Sequence, residues 1–500
     1  MPDYRCTNVA VAVAGRAEYA APPYHPCTVH PELRRLPYAA PAATDAGAGV
    51  YEAVRQALLM LGLDAAHAGT ERWNPFGALI KPGEHAVLKP NLVFDRHPLG
   101  RQGLLCTITH AAVLRPLIDY VLLAAGGNVR ITICDVPLQS ACWEALVAGG
   151  GYAELLAFYR LQGMSVALLD LRREVVELNG MNIAVRRDVR QRDPQGYCAV
   201  DVGEKSALTP VIDRYRKFRI TDYPHASVAA HHNRQKNEYL ICRTVLDADL
   251  FINVPKLKTH RKAGISCAMK NLIGINGDKS WIAHHRAGSV RSGGDEYRDF
   301  RWRQYLAWHT WNAIKRYPLT RAAATLLKKG YYRFFTKYRT IEAMKYSGEF
   351  PDGMEGSWYG NDTVWRCIAD LNYILLFADK QGKVQEKPAR SSVCVVDGII
   401  SGEKEGPLQN APKNTGIVLA GFNPLAVDSA AARIMGFDCG AIPSIAQVQG
   451  LRHLLYPVPG ATQPQMLAGN AVCPNFAFEP PRSWADVLTA GKGINDAAHT

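Results

Sequence analysis

Four short apolar runs in this chain each end in polar residues: His85–Leu88 in Lys89-Pro90-Asn91, Val129–Cys134 in Asp135, Leu250–Val254 in Pro255 and then Lys256 to His260, and Val393–Val396 in Asp397-Gly398. One polar strand end says little, because every strand stops somewhere. Four of them constrain the fold, since an open parallel sheet collects strand ends along its carboxyl edge, where such folds place ligands. Helical patterns alternate with the runs. Val50–Leu63 has helical spacing and stops at Gly62, and His110–Ala125 closes at Gly126-Gly127 with Pro116 suited to its first turn. The latter joins two strands into a strand–helix–strand unit with a right-handed crossover. Asn8–Ala14 reads as a first strand, Gly416–Gly421 as a late one, and Ser429–Met435 as a small-residue helix opened by Asp428.

The predicted fold is α/β, with an open, largely parallel sheet and flanking helices, elaborated by a polar insertion and a basic aromatic helical insertion. The organisation expected is a main α/β portion over 1–290 with the polar insertion at about 165–240, the basic insertion over 291–345, a second α/β portion over 346–455 completing the core, and a C-terminal extension over 456–500. Within the polar insertion, Val175–Val185 turns at Asn179-Gly180, a hairpin signal.

Residues 251–285 are the densest in chemistry. Lys256, Lys258, Lys262, Lys270, Lys279, Arg261, His260, His284 and His285 share this stretch, and Asp278 is the only acid between Leu257 and His285. Leu257, Ile265, Met269, Leu272 and Ile273 are interleaved with them, so the segment must pack while its cations converge. That favours an anion-binding site over a solvated loop. Lys256, Lys258 and Lys270 can neutralise a phosphate or carboxylate, and His260 can carry a proton, so these four are the catalytic candidates. Lys89, Asn91, Thr259, Asn271, Gly274, Lys279 and His284 are the substrate-binding candidates. Asp135, Asp397, Glu405 and Asp428 offer oxygen ligands that would suit magnesium or manganese. Plainer roles compete for three of them: Asp428 as a helix cap, Asp397 as a turn residue before Gly398, Asp135 as a turn initiator ahead of Pro137.

Several chemistries are excluded. Gly274-Ile275-Asn276-Gly277-Asp278-Lys279-Ser280 ends in Lys-Ser but has the wrong glycine spacing for a P-loop. No dinucleotide-binding glycine pattern follows a strand, and neither a nucleophile elbow nor H-E-x-x-H occurs. His284 and His285, adjacent in sequence, would diverge by about 100° on a helix. The 12 cysteines are scattered with no C-x-x-C pair, so no iron–sulfur cluster, zinc knuckle or disulfide framework is expected, and a reducing cytoplasm is. No apolar stretch is long enough to span a bilayer, and the N-terminus lacks a signal-peptide pattern.

The formal net charge is +13, yet residues 301–340 alone carry ten cations and no acid, together with ten aromatics that include Trp302, Trp308, Trp311, Tyr331 and Phe335. Two basic amphipathic helices separated by Tyr317-Pro318 are expected here. Such a surface suits an anionic membrane or the parent domain's own flank; no recognition motif accompanies the charge, so nucleic acid is not expected.

Lys89-Pro90-Asn91, Asn253-x-Pro255-Lys256-x-Lys258-Thr259-His260, Lys270-Asn271-x-x-Gly274, Asp397-Gly398-Ile399, Glu405-Gly406-Pro407 and Asn423-Pro424-x-Ala426-Val427-Asp428 occur in this order. Trp358-x-x-Asn361-Asp362-Thr363-x-x-Arg366-x-x-x-Asp370-Leu371-Asn372 lies between the last three sets and the first three. The set resembles the domain-of-unknown-function family 362, over about Asn8 to about Gly450. Many relatives append a ferredoxin-like domain with clustered cysteines, which this chain lacks, so the resemblance implies no redox role; the family carries no settled activity to transfer. The functional expectation is an enzyme acting on a small anionic, carboxylate- or phosphate-bearing substrate by Lys/His/Asp acid–base or group-transfer chemistry. The alternative is a non-catalytic accessory protein, cytoplasmic and peripheral at the inner membrane face, that binds an anionic lipid-linked or glycan intermediate.

Overall fold

The structure, a computed structural model, describes residues 3–38, 49–178, 184–221, 223, 225–299, 355–451, 463–468 and 473–489. The basic aromatic stretch 301–340 and the Asn179-Gly180 turn lie outside them.

Ten strands form one sheet: β1 (Val9–Val13), β2 (His85–Pro90), β3 (Arg130–Asp135), β4 (Val166–Asp170), β5 (Leu250–Val254), β6 (Lys256–His260), β7 (Gly264–Ser266), β8 (Ser391–Glu405), β9 (Gln409–Gly421) and β10 (Met466–Leu467). Their spatial order is β10-β1-β9-β8-β5-β2-β3-β4, with β6 running on beside the second half of β8 and β7 folded back on β6. The block β8-β5-β2-β3-β4 is parallel throughout, and β9 is antiparallel to both its neighbours. Apolar residues on both faces account for the two covering layers. Val87, Phe251, Cys394 and Val396 pack with α4 (Val364–Phe377) and α5 (Pro424–Met435). Ala86, Leu88, Leu250, Ile252, Val393 and Val395 pack with α1 (Val50–Met60), α2 (Ala111–Ala124) and α3 (Tyr152–Leu161).

The chain steps outward from β2 to β3 to β4, then returns to the other side of β2 as β5 and β8. Strand order therefore reverses between β2 and β5. In an open α/β sheet this reversal splays the connections apart and leaves a crevice outside the carboxyl ends of the two strands. Lys89 ends near one lip and Pro255 opens the other.

Local details differ from the sequence reading in four places. Pro255 does not release a loop: the chain pairs again at once as β6, with Lys256 in register with Asp397 and Lys258 with Gly402 across a bulge. The late strands are longer than their apolar cores, 15 and 13 residues, because they form a hairpin that extends past the helical layers. Helix α2 starts at Ala111 with the His110 ring accepting the Ala112 N–H at 3.2 Å, so Pro116 sits inside it rather than in its first turn. The polar insertion starts later than about 165, since Val166–Asp170 is the edge strand of the main sheet. The rest of it forms a separate hairpin, Glu174–Leu178 with Ala184–Val189, and a three-stranded sheet. All 12 cysteines are free, and among the described residues no helix is long and apolar enough to cross a membrane.

Asp428 is not the cap of its own helix. Asn423 caps α5 by accepting the Ala426 N–H at 3.0 Å. Asp428 lies a turn further on and accepts the Ala268 N–H at 2.6 Å from a segment far away in sequence. Burial pushes its carboxyl up to about 7, against the lowering effect of those hydrogen bonds. A group whose folded pKa is raised is protonated in the folded chain while already ionised in the unfolded one, so stability falls as pH rises from about 4 to about 7. Asp428→Asn, which keeps an oxygen acceptor and cannot ionise, should match the parent near pH 4 and exceed it above pH 7 by on the order of 1–4 kcal/mol in urea unfolding. A variant weaker than the parent above pH 7 would show that the ionised carboxylate is required.

Candidate functional site

The alternation of β6 determines what faces the crevice. Lys256, Lys258 and His260 point to one side; Leu257 and Thr259 point to the other. After β7 the chain turns into a one-turn helix, Ala268–Asn271, which delivers Lys270 and Asn271. The following 3-10 turn, Leu272–Ile275, places Gly274, and a second turn, capped by Asp278 accepting the Ser280 N–H at 3.0 Å, places Lys279 ahead of His284.

Two ion pairs are sealed beneath this edge. Lys256 Nζ lies 3.0 Å from Asp397 Oδ2, and both side chains are fully buried. Asp397 also accepts the Tyr19 hydroxyl at 2.8 Å, the His110 N–H at 3.0 Å and the Ile399 N–H at 3.2 Å, while Lys256 donates to the Tyr19 oxygen at 2.6 Å. Lys89 Nζ lies 2.8 Å from Asp135 Oδ1, and Asp135 accepts the Leu92 and Val136 N–H groups at 2.6 and 2.8 Å. Gly274 packs against the second pair. A Cβ there would clash with Asp135 Oδ1 and lie 2.6 Å from Lys89 Nζ, so the position admits no side chain without displacing the pair.

Asn271 ties the strands together. Its oxygen accepts Lys89 Nζ at 3.2 Å and Asn91 Nδ2 at 3.1 Å, and its amide donates to Lys89 O at 3.1 Å and Asn253 Oδ1 at 2.8 Å. From Asn91 the network reaches Lys258, whose amine donates to Asn91 Oδ1 at 2.9 Å and Thr107 O at 2.5 Å.

Above these sealed groups lie Lys270, Lys279 and Lys262. Lys270 is partly exposed, and no described residue hydrogen-bonds or pairs with its amine. Burial, then the charges of Lys279, Lys262 and Lys89, push it down to about 7. Burial likewise pushes Lys279 down to about 8, with Asp135 opposing. Lys258 falls well below the usual lysine range through burial and Lys270. His260 and His284 are driven well below the usual imidazole range by burial and by the surrounding lysines, so both rings are neutral at pH 7. The arrangement can bind an anion, and it holds neutral nitrogen bases beside it.

Several expected site residues have other employment. Thr259 faces away: its hydroxyl donates to Lys404 O at 2.7 Å and accepts Asn410 Nδ2 at 2.9 Å, as the two-residue period of a strand requires. Asn271 is buried with all its hydrogen bonds satisfied, so it positions Lys89 and Asn91 rather than meeting a ligand. The four carboxylates are not one ligand set. Asp135 and Asp397 each serve a lysine, Asp428 holds a backbone turn, and Glu405 accepts the Arg482 N–H at 2.8 Å with Arg261 3.9 Å away. Among the described residues no cluster of three or more His, Cys, Asp or Glu side chains could hold a metal ion.

Tyr19 and His110 were missed. Tyr19 stacks on His110 with ring centroids 4.0 Å apart and closes the Lys256–Asp397 pair from above. It falls in a Pro/Ala-rich stretch after the first strand, and nothing local marks it. Lys262, which donates to Thr221 Oγ1 at 3.1 Å, faces Lys270 and was visible only as part of the basic run.

Removing one partner of a buried pair leaves the other charge without compensation. Asp397→Ala should therefore destabilise the protein by about 3–5 kcal/mol, and Asp397→Ala combined with Lys256→Met should recover most of that loss. Urea unfolding of the two variants checks this; a double variant no more stable than the single one would show that the pair is not what Asp397 stabilises.

The family model described as Domain of unknown function (DUF362) matches residues 191–433, a shorter span than the motif set covers. No curated protein and no solved structure matches the chain. The matched span supplies Lys256, Lys258, His260, Lys270 and Asp397, while Lys89, Asn91 and Asp135 come from strands that precede it, and through residues 191–433 the chain belongs to the DUF362 family.

Proposed function

We propose that the protein is an enzyme that binds a small carboxylate- or phosphate-bearing substrate in the switch-point crevice and acts on it by acid–base or group-transfer chemistry. One observation carries the reading. Lysines and histidines from β2, β6 and the 268–284 segment converge at the carboxyl edge, while the nearby acids Asp135 and Asp397 are each held by a lysine, leaving Lys270 without an acid among the described residues. Cations held this way, partly out of water, produce a positive potential that a bound anion relieves. His284, neutral, can accept a proton from the substrate. His260, whose Nδ1 accepts the Lys262 N–H at 3.0 Å and whose proton therefore sits on Nε2, can donate a hydrogen bond to it, and the charged lysines can stabilise negative charge that develops on it.

An anion bound to the folded chain should raise its stability by about 2.7 kcal/mol at 100-fold saturation. With sulfate as probe, the gain should be larger below pH 7 than above it, because Lys270 gains its charge as pH falls through about 7. Lys270→Gln should remove most of the gain while leaving the anion-free protein as stable as the parent or more so, since a repelling charge is gone. Thermal unfolding with and without sulfate reads this, with Lys380→Gln as a surface control. A sulfate effect that survives Lys270→Gln would move the binding site elsewhere.

The sequence of residues 301–340 favours a second role, contact with an anionic membrane at the cytoplasmic face, alongside the first. Each cation near such a surface contributes about 1 kcal/mol at low salt. The protein should then sediment with phosphatidylserine vesicles and be released by salt, and replacing Lys328, Lys329, Arg333 and Lys337 with Gln should weaken the association. Absence of sedimentation in the parent would contradict it.

A further inference from the structure

Six lysines surround the crevice, and their hydrogen bonds separate them. Lys89 and Lys256 are each paired with an aspartate, and Lys258 is held by Asn91 and the Thr107 carbonyl. Lys279 donates to Ile273 O at 2.9 Å, and Lys262 to Glu355 O at 2.5 Å and Thr221 Oγ1 at 3.1 Å. Lys270 has no such partner among the described residues, and it keeps access to solvent. It stands on a one-turn helix fixed from below by Asp428 and from the side by Asn253, whose amide donates to Ala268 O at 2.8 Å. The amine is thus placed on a rigid support with its lone pair uncommitted.

We propose that Lys270 is a nucleophile that forms an imine with a carbonyl compound bearing an anionic group, either a 2-oxo acid or a phosphorylated ketone. The inference rests on the anion-binding reading above and adds a covalent step to it. An ordinary lysine is a free amine in only on the order of one molecule in a thousand at neutral pH. Lys270, pushed down to about 7 by burial and three neighbouring lysines, is a free amine in about half. In the step itself, the nitrogen lone pair forms a bond to the carbonyl carbon while the C=O π pair moves onto oxygen. The nitrogen gives up a proton and the oxygen gains one, yielding a carbinolamine. The hydroxyl takes up a second proton and leaves as water as the nitrogen lone pair closes the C=N bond, and the iminium so formed gives a proton back to become the imine. One water is released, and nothing is oxidised or reduced. His284 is suited to carry the proton, because its ring is neutral, partly exposed and electrostatically coupled to Lys270. Lys262 and Lys279, coupled to both groups, are placed to hold the anionic substituent. Lys258, also well below the usual lysine range, is sealed by two hydrogen bonds and cannot meet a substrate without losing them.

The test incubates the full-length protein at neutral pH with pyruvate, or with dihydroxyacetone phosphate, and traps any imine with cyanoborohydride. Peptide mass spectrometry locates the reduced adduct. The expected result is modification of Lys270 at least about tenfold above any other lysine with one of the two probes, and its loss in Lys270→Arg, which keeps the charge but not the nucleophile. The responding probe identifies the carboxylate or the phosphate as the anionic group. Lactate and glycerol 3-phosphate, which lack the carbonyl, report anion binding separately through the thermal shift. If they stabilise the protein and neither carbonyl probe modifies Lys270, the imine is overturned while the anion site stands. Modification of Lys262, Lys279 or scattered surface lysines in place of Lys270 also overturns it. If the analogues fail to stabilise the protein and no adduct forms, both readings fall.

Discussion

Moving an ammonium group out of water costs several kcal/mol unless a counter-charge and hydrogen bonds accompany it. The carboxyl edge of this sheet buries three lysine amines, Lys89, Lys256 and Lys258, each at most 1% exposed. Much of the local architecture meets that cost. Asp135 comes from the end of β3 to Lys89, and Asp397 from the middle of β8 to Lys256, so each pair clamps two neighbouring or continuing strands of the parallel block. Lys258 has no acid and is held by a side-chain amide and a backbone carbonyl. Asn271 then joins the first pair to Asn91, so that the positions of Lys89, Asn91, Asn253 and Lys258 depend on one another.

This division sorts the crevice into a sealed layer and an open one. The sealed layer is close to electrically balanced, apart from Lys258. The open layer around Lys270 is not, since among the described residues no acid pairs with that amine, and in the proposed reading a bound anion supplies the charge. Burial first, and then the cations already present, keep the His260 and His284 rings neutral at pH 7. In the proposed reading, the attraction for anions follows from the near-exclusion of acids from the 256–284 segment, where Asp278 is the only one, and the unprotonated rings follow first from burial.

That exclusion was legible in the sequence, as were the parallel strands and the gathering of their polar ends, because hydrophobic runs and charge are local properties. The switch point was not, since the sequence alone does not say on which side of β2 the chain returns. Thr259 was assigned to the site as part of a motif, although strand alternation would have turned it away had the pairing beyond Pro255 been foreseen. A proline ordinarily ends a ladder, but here the bulge between Lys256 and Lys258 lets pairing with β8 continue. The four acids looked like metal ligands because carboxylates at strand ends often are; only their three-dimensional partners show that each is occupied separately. Tyr19 could not have been found, because its partners, Lys256 and Asp397, lie more than two hundred residues away.

The central claim is that the open layer at the switch point is an anion site. A crystal of the full-length protein grown with selenate tests it most directly, since the anomalous signal of selenium locates the anion without reference to any assumed pose. The account predicts selenate in the crevice against Lys262, Lys270 and His284, with the Lys256–Asp397 and Lys89–Asp135 pairs intact beneath it. Selenate bound only to surface cations, with the crevice empty, would contradict it.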